Sequence, residues 1–212
     1  MSRKPGMAKT ERSAPAKHRA AALEPVDVFR SGVAELEGVL RRFIQVRESV
    51  LEAAAEAMAA SLRKGGKVLV FGNGGSAAEA QHFAAELVNG LSRHDRPALP
   101  AVALTADTSS LTAIGNDRGF ARVFSRQIEA LGRPGDVALA LTTSGTSPNI
   151  IEALKTARAA GLVTIALTGE KGGAAAPLAD FLLDVPSCAT PRIQEAHLFL
   201  LHFLAEKLEG RA

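Results

Sequence analysis

Apolar positions follow a helical period at the start of this chain and then break into short runs. From Pro25 to Leu62, Phe29, Val33, Leu36, Leu40 and Phe43 recur at helical spacing, and Val46, Val50, Ala53 and Met58 do so less regularly. This predicts one long helix or two. From Lys67 onward, runs of four to six mostly apolar residues alternate with helical stretches. Strands are predicted near 67–71, 100–104, 136–141, 162–167 and 180–185. Helices are predicted near 76–90, 119–131, 148–160 and 190–208, with a short helical piece at 107–114. Alternation of this kind predicts an α/β fold, a doubly wound five-stranded parallel sheet flanked by helices, with an N-terminal helical extension. Ligands of such sheets bind at the carboxyl ends of the strands. The Gly- and Ala-rich stretch 169–176 reads as a mobile loop.

Composition narrows the picture. The chain has 212 residues, 47% of them hydrophobic, enough for one domain with a full core. It has no Trp or Tyr, which argues against base stacking and so against nucleic acid as a partner. A single cysteine, Cys188, excludes an internal disulfide, fits a cytoplasmic protein, and reads as an incidental or buried thiol. No apolar stretch approaches the ~20 residues of a membrane span. The net charge of +3 is unevenly spread: residues 1–20 hold six Lys or Arg and one Glu, which leaves −2 on the remainder. Residues 1–25 therefore read as a disordered basic tail without the apolar core of a secretory signal, and 26–212 as the folded domain.

Two turns carry candidate chemistry. The first predicted strand runs into Gly72-Asn73-Gly74-Gly75-Ser76, and the third into Thr142-Thr143-Ser144-Gly145-Thr146-Ser147, followed by Pro148. Glycines at a strand-to-helix turn let backbone N–H groups approach an anion, and the helix N-terminus adds partial positive charge. The second turn offers five hydroxyls in six residues, with Ser147 and Pro148 placed as an N-cap and a first helical residue. Together they predict a phosphorylated small molecule held between the turns. On the helix after the first turn, His82 and Glu86 are four apart and share a face. That spacing suits two metal ligands, an acid and a base, or a solvated couple. The last predicted helix carries Gln194, Glu195, His197 and His202 among apolar residues, either as functional groups or as satisfied core polar groups.

At these residues the chain resembles the phosphoheptose isomerases, also called sedoheptulose 7-phosphate isomerases, of the SIS (sugar isomerase) domain family. The likeness spans about residues 26–209. It rests on Gly72-Asn73-Gly74-Gly75-Ser76, His82-Phe83-Ala84-Ala85-Glu86-Leu87, Gly115-Asn116-Asp117, Thr143-Ser144-Gly145 with Ser147, and Arg192-Ile193-Gln194-Glu195-Ala196-His197 with His202. The resemblance implies conversion of D-sedoheptulose 7-phosphate to D-glycero-D-manno-heptose 7-phosphate, the first step towards ADP-heptose and the lipopolysaccharide core. It implies substrate contacts at Asn73, Gly74, Gly75, Glu86, Asn116, Asp117, Thr142, Thr143, Ser144, Ser147 and Gln194. It implies Glu86 as the base, His202 as its acid–base partner, and a zinc ion held by His82, Glu86, Gln194 and His202. It also implies a homotetramer. Two departures stand out: Thr142 replaces a frequent Ser, and where many members have an Arg soon after Leu87, the next one here is Arg93. The stretch Ala77 to Ala85 also resembles non-catalytic replication-initiator-binding relatives, which lack the Glu and the last-helix His; a non-catalytic sugar-phosphate sensor is the other binding-module alternative.

The chemistry of a ketose–aldose interconversion fits the residues independently. One proton moves between adjacent carbons through an enediol and another between their oxygens, which calls for a carboxylate and a second acid–base group. A rival reading takes Gly72, Gly74 and Ala77 as a dinucleotide fingerprint, with Asp107 as the ribose-binding acid. Finally, Gln194 and His202 are eight residues apart, about 12 Å along one helix axis. Helix geometry alone would pair Gln194 with His197; the resemblance selects His202 instead, and the two reach one metal most simply if each comes from a different copy of the chain.

Overall fold

A computed structural model of the protein describes residues 25–210; the expected basic tail lies outside them except for Pro25, which begins the first helix. The N-terminal apolar stripe forms one helix, α1 (Pro25–Arg63), 39 residues and about 58 Å long. Five strands follow: β1 (Val68–Gly72), β2 (Ala101–Ala103), β3 (Val137–Thr142), β4 (Val163–Thr168) and β5 (Phe181–Asp184). Between and after them come α2 (Gly75–Asn89), α3 (Thr108–Arg118), α4 (Ser125–Leu131), α5 (Pro148–Ala159) and α6 (Thr190–Glu209). All strand pairs are parallel, in the order β2-β1-β3-β4-β5. The doubly wound five-stranded sheet predicted from the pattern is the fold observed.

Strand residues alternate between two cores. Val68, Val70, Val137, Leu139 and Ile165 pack with α1, α2 and α6; Leu69, Phe71, Ala138 and Ala140 pack on the opposite side with α4 and α5. Burial on both faces explains why β1 and β3 read as unbroken apolar runs. Each fully buried Leu or Phe contributes about 1.5–3 kcal/mol, so the sheet is the rigid frame on which the loops are hung.

Two expectations need correction. The predicted helix at 119–131 is a 3-10 turn (Phe120–Arg122) followed by α4. Val123 and Phe124, adjacent in sequence, are both buried, Phe124 against the Phe71 ring, which a straight helix would place about 100° apart. The stretch 169–176 is packed, with a 3-10 turn at Gly173–Leu178. Gly169 N–H donates to Thr143 O at 3.1 Å, Ala175 N–H donates to Gly145 O at 2.9 Å, and Ala175 is buried.

The sheet order reverses between β1 and β3, so the turns that leave these two strands flank the switch point where α/β folds bind ligands. Among the described residues no helix is long and apolar enough to cross a membrane.

Candidate active site

The two turns meet as their placement requires. Asn73, Ser76, Thr142, Thr143, Ser147 and Gln194 line a small polar cavity of about 60 Å³ at the switch point. Asn73 and Asn149 exchange reciprocal amide hydrogen bonds of 2.9 and 2.8 Å, which lock the glycine turn to the start of α5. Asn149 is 2% exposed and was not singled out from the sequence; only its place two residues after the predicted cap hinted at it. Ser147 is the N-cap residue of α5 but makes no side-chain capping bond, with Pro148 following as expected. Ser147 lines the cavity of the two turns. Gly75 lets the Gln194 amide close on the turn: a Cβ there would lie 2.4 Å from Gln194 Nε2 and would displace that side chain. Gly74, with φ of 57°, starts α2 without a side-chain cap. Ser144 is exposed beside the cavity and accepts from Thr146 N–H at 3.3 Å.

A second cluster lies further along α2, where that helix packs against α6. Glu86 Oε1 is 2.9 Å from His82 Nε2 and 3.4 Å from His202 Nε2. The two imidazole nitrogens are 3.0 Å apart. Glu86 is buried, whereas His82 and His202 remain open to solvent. Glu86 Oε2 is buried without a protein partner among the described residues. From Gly75 to His82 is about 10 Å along the helix. Cavity and cluster thus suit a substrate whose anchoring group is several atoms from its reacting atoms.

Three donor atoms at 2.9, 3.0 and 3.4 Å from one another match the face of a tetrahedral site, whose edges are about 3.3 Å for bonds near 2.0 Å. His82, Glu86 and His202 thus fit a divalent metal such as zinc. Gln194 of the same chain faces Gly75 instead. Asn116 and Asp117 sit on α3 and are exposed; Asn116 Nδ2 donates to Asp117 Oδ1 at 2.8 Å. Helix α3 buries none of its own residues, and no hydrogen bond among the described residues ties this pair to the cavity.

Other titratable groups fall into place. His197 is fully buried; desolvation pushes its pKa down to about 4, against its hydrogen bond to Thr168 O at 3.1 Å. It is a core histidine, but a half-satisfied one: its Nδ1 is buried without a partner among the described residues. Glu79, one turn beyond Gly75 on the same side of α2, was missed by the sequence reading; burial pushes its carboxyl up to about 7. Cys188 is exposed, and its Sγ donates to Glu170 at 3.2 Å, which raises the thiol pKa and makes it a poor nucleophile. Asp107 caps α3 by accepting from Ser110 N–H at 3.1 Å, so it is not presented as a ribose acceptor. Arg93 reaches the main-chain oxygen of Glu209 at 3.4 Å, away from the cavity of the two turns.

Comparison with known proteins gives the family. Residues 33–169 match the SIS domain family model. The chain is 53% identical over 161 residues to the phosphoheptose isomerase of Burkholderia pseudomallei (strain 1710b), covering 76% of this chain and 81% of the relative. It is 53% identical over 167 residues to that of Aquifex aeolicus (strain VF5), covering 79% and 87%. The chain belongs to the phosphoheptose isomerase family of SIS-domain proteins. Among solved structures, phosphoheptose isomerase GmhA from Neisseria gonorrhoeae superposes with a TM-score of 0.82 at 45% identity, covering 87% of this chain and 98% of that one.

Proposed function

We propose that this family member converts D-sedoheptulose 7-phosphate to D-glycero-D-manno-heptose 7-phosphate, the aldose used for ADP-heptose and lipopolysaccharide-core precursors. The observation that carries this reading is the convergence of Glu86, His82 and His202 about two helical turns from a polar, hydroxyl-lined cavity. The cavity takes the phosphate: N–H groups of the glycine turn and the hydroxyls of Thr142, Thr143, Ser144 and Ser147 donate to its oxygens, with Asn73 and Gln194 beside them. Glu86 removes the proton from the carbon next to the ketone and returns it to the adjacent carbon. His202 moves the second proton between the two oxygens. Burial of Glu86 keeps water from competing for the carboxylate. A zinc ion held by His82, Glu86 and His202 would supply Lewis-acid polarisation of the substrate oxygens when bound.

The phosphate assignment has a direct check. Ser144→Ala and Ser147→Ala should each weaken inhibition by inorganic phosphate and raise KM, by about 1 kcal/mol apiece. If phosphate inhibits both variants as it inhibits the parent, the anchor lies elsewhere.

We further propose a homotetramer in the cytoplasm, with residues 1–24 dispensable for fold, assembly and turnover. Val26, Val28, Phe29 and Val33 on α1 and Phe199 on α6 are each more than half exposed, and α3 lacks a buried face. Such apolar surface supports burial against further copies. In this reading Gln194 of one copy joins the His82, Glu86 and His202 set of another, and Asn116 and Asp117 meet substrate at the same boundary. Mixing inactive Gln194→Ala and His202→Ala proteins after reversible dissociation should restore part of the activity, because some hybrid sites receive both residues. Well-mixed hybrids that stay inactive would show that both residues act within one chain.

A further inference from the structure

Helix α2 ends just after Glu86, and its last carbonyls need partners. The segment from Gly90 to Leu99 supplies them. Glu86 O accepts from Gly90 N–H at 2.8 Å and from Arg96 Nη2 at 2.8 Å, and Leu87 O accepts from Leu99 N–H at 3.1 Å. Arg96 is not a surface residue here: its side chain is 2% exposed. The guanidinium also pairs with Glu209, Nε to Oε1 at 3.4 Å, and donates to Pro97 O at 2.8 Å. Glu209 is the last residue of α6 and equally buried. Its carboxylate accepts the N–H groups of Leu91 at 2.6 Å and Ser92 at 3.1 Å.

Glu86 is thereby joined to α6 twice. Its carboxylate meets His202 on α6, and its main-chain carbonyl is joined through Arg96 to Glu209, seven residues further along the same helix. A buried Arg fork with a carboxylate on one side and a carbonyl on the other has little freedom to shift. The register between the ends of α2 and α6 sets the 3.4 Å separation of Glu86 and His202.

We infer that Arg96, held by Glu209, is a positioning residue that sets the Glu86 carboxylate against His202 for proton transfer. The inference rests on Glu86 being the base. Displacement of a reacting group by about 1 Å can cost up to 10²-fold in rate, while a phosphate site on the turns after β1 and β3 does not depend on this clamp. Arg96→Met should therefore lower kcat by about ten- to a hundredfold and leave the phosphate inhibition constant within about twofold.

A double-mutant cycle separates positioning from general weakening. Rates are measured for the parent, Arg96→Met, Glu86→Gln and the double variant, on protein with unchanged circular dichroism. If Arg96 acts through Glu86, its removal costs little once the base is gone, so the two losses do not multiply. Multiplied losses, or a folded Arg96→Met protein with parental kcat, would overturn the inference. Near-parental turnover of Glu86→Gln alone would instead overturn the assignment of the base. Glu209→Gln keeps an oxygen for Leu91 and Ser92 N–H but removes the charge facing Arg96. It should show the same kcat loss and the same lack of additivity with Glu86→Gln, and it carries the test if Arg96→Met does not fold.

Discussion

Glu86→Gln should lower turnover by roughly 10²-fold or more and leave inhibition by inorganic phosphate nearly unchanged. The substitution keeps the shape of the side chain and removes the only carboxylate in the cluster of His82, Glu86 and His202. The phosphate cavity lies at the other end of α2, lined by residues of the two turns and Gln194, so binding there does not depend on the charge of Glu86. The amide also loses one acceptor facing the two imidazoles, which stand 2.9 and 3.4 Å from Oε1. Weakened zinc or cobalt binding is therefore expected alongside the rate loss, measured by titration of metal-free protein. A Glu86→Gln protein that turns over at the parental rate would remove Glu86 from the chemistry.

Gly145→Ala should cost roughly 3 kcal/mol or more of stability and abolish phosphate inhibition. Gly145 sits in the hydroxyl turn at φ of 65°, in the left-handed region that disfavours a Cβ. An added Cβ would also lie 2.2 Å from the Gly172 carbonyl oxygen, a backbone atom that cannot step aside. The same glycine holds the turn together, donating to Thr142 Oγ1 at 3.2 Å and accepting from Ala175 N–H at 2.9 Å. For a domain of this size the melting temperature should fall by roughly 6–12 °C. A calorimetric scan with and without phosphate reads both effects. A melting temperature within a degree of the parent would mean that the 169–176 stretch yields freely and that the turn is not braced by it.

How much of this was legible beforehand follows from what local pattern encodes. The strands were readable because β1 and β3 are buried on both faces and therefore appear as continuous apolar runs between glycines. The turns after them were readable because glycines and hydroxyls cluster where a strand gives way to a helix. His82 with Glu86 was readable from spacing alone, but His202 joined them only through the resemblance, because the contact between α2 and α6 spans more than a hundred residues. Arg96 escaped for the same reason: in sequence it is one more charge in a polar loop, and its burial depends on Glu209 at the far end of the chain. Asn149 and Glu79 carry no local signal, because the burial of each depends on elements distant in sequence. The 3-10 turn ahead of α4 has no glycine or proline between Phe120 and Leu131 to mark it, so local pattern does not show the break. The 169–176 stretch looked mobile from its glycines, whereas those glycines permit close approach to the hydroxyl turn, with Gly173 Cβ space filled by Gly145 and Ser144 oxygens.

The central claim is that this chain moves a proton between the first two carbons of a phosphorylated ketoheptose. Purified protein incubated with sedoheptulose 7-phosphate, followed by NMR of the anomeric signals, measures it most directly. The account predicts that heptose 7-phosphate aldose signals grow to a constant ratio with the ketose, at a rate slowed by inorganic phosphate. A ketose that binds to the protein and competes with phosphate, yet yields no aldose with or without added zinc, would contradict the account and leave the chain a sugar-phosphate binder.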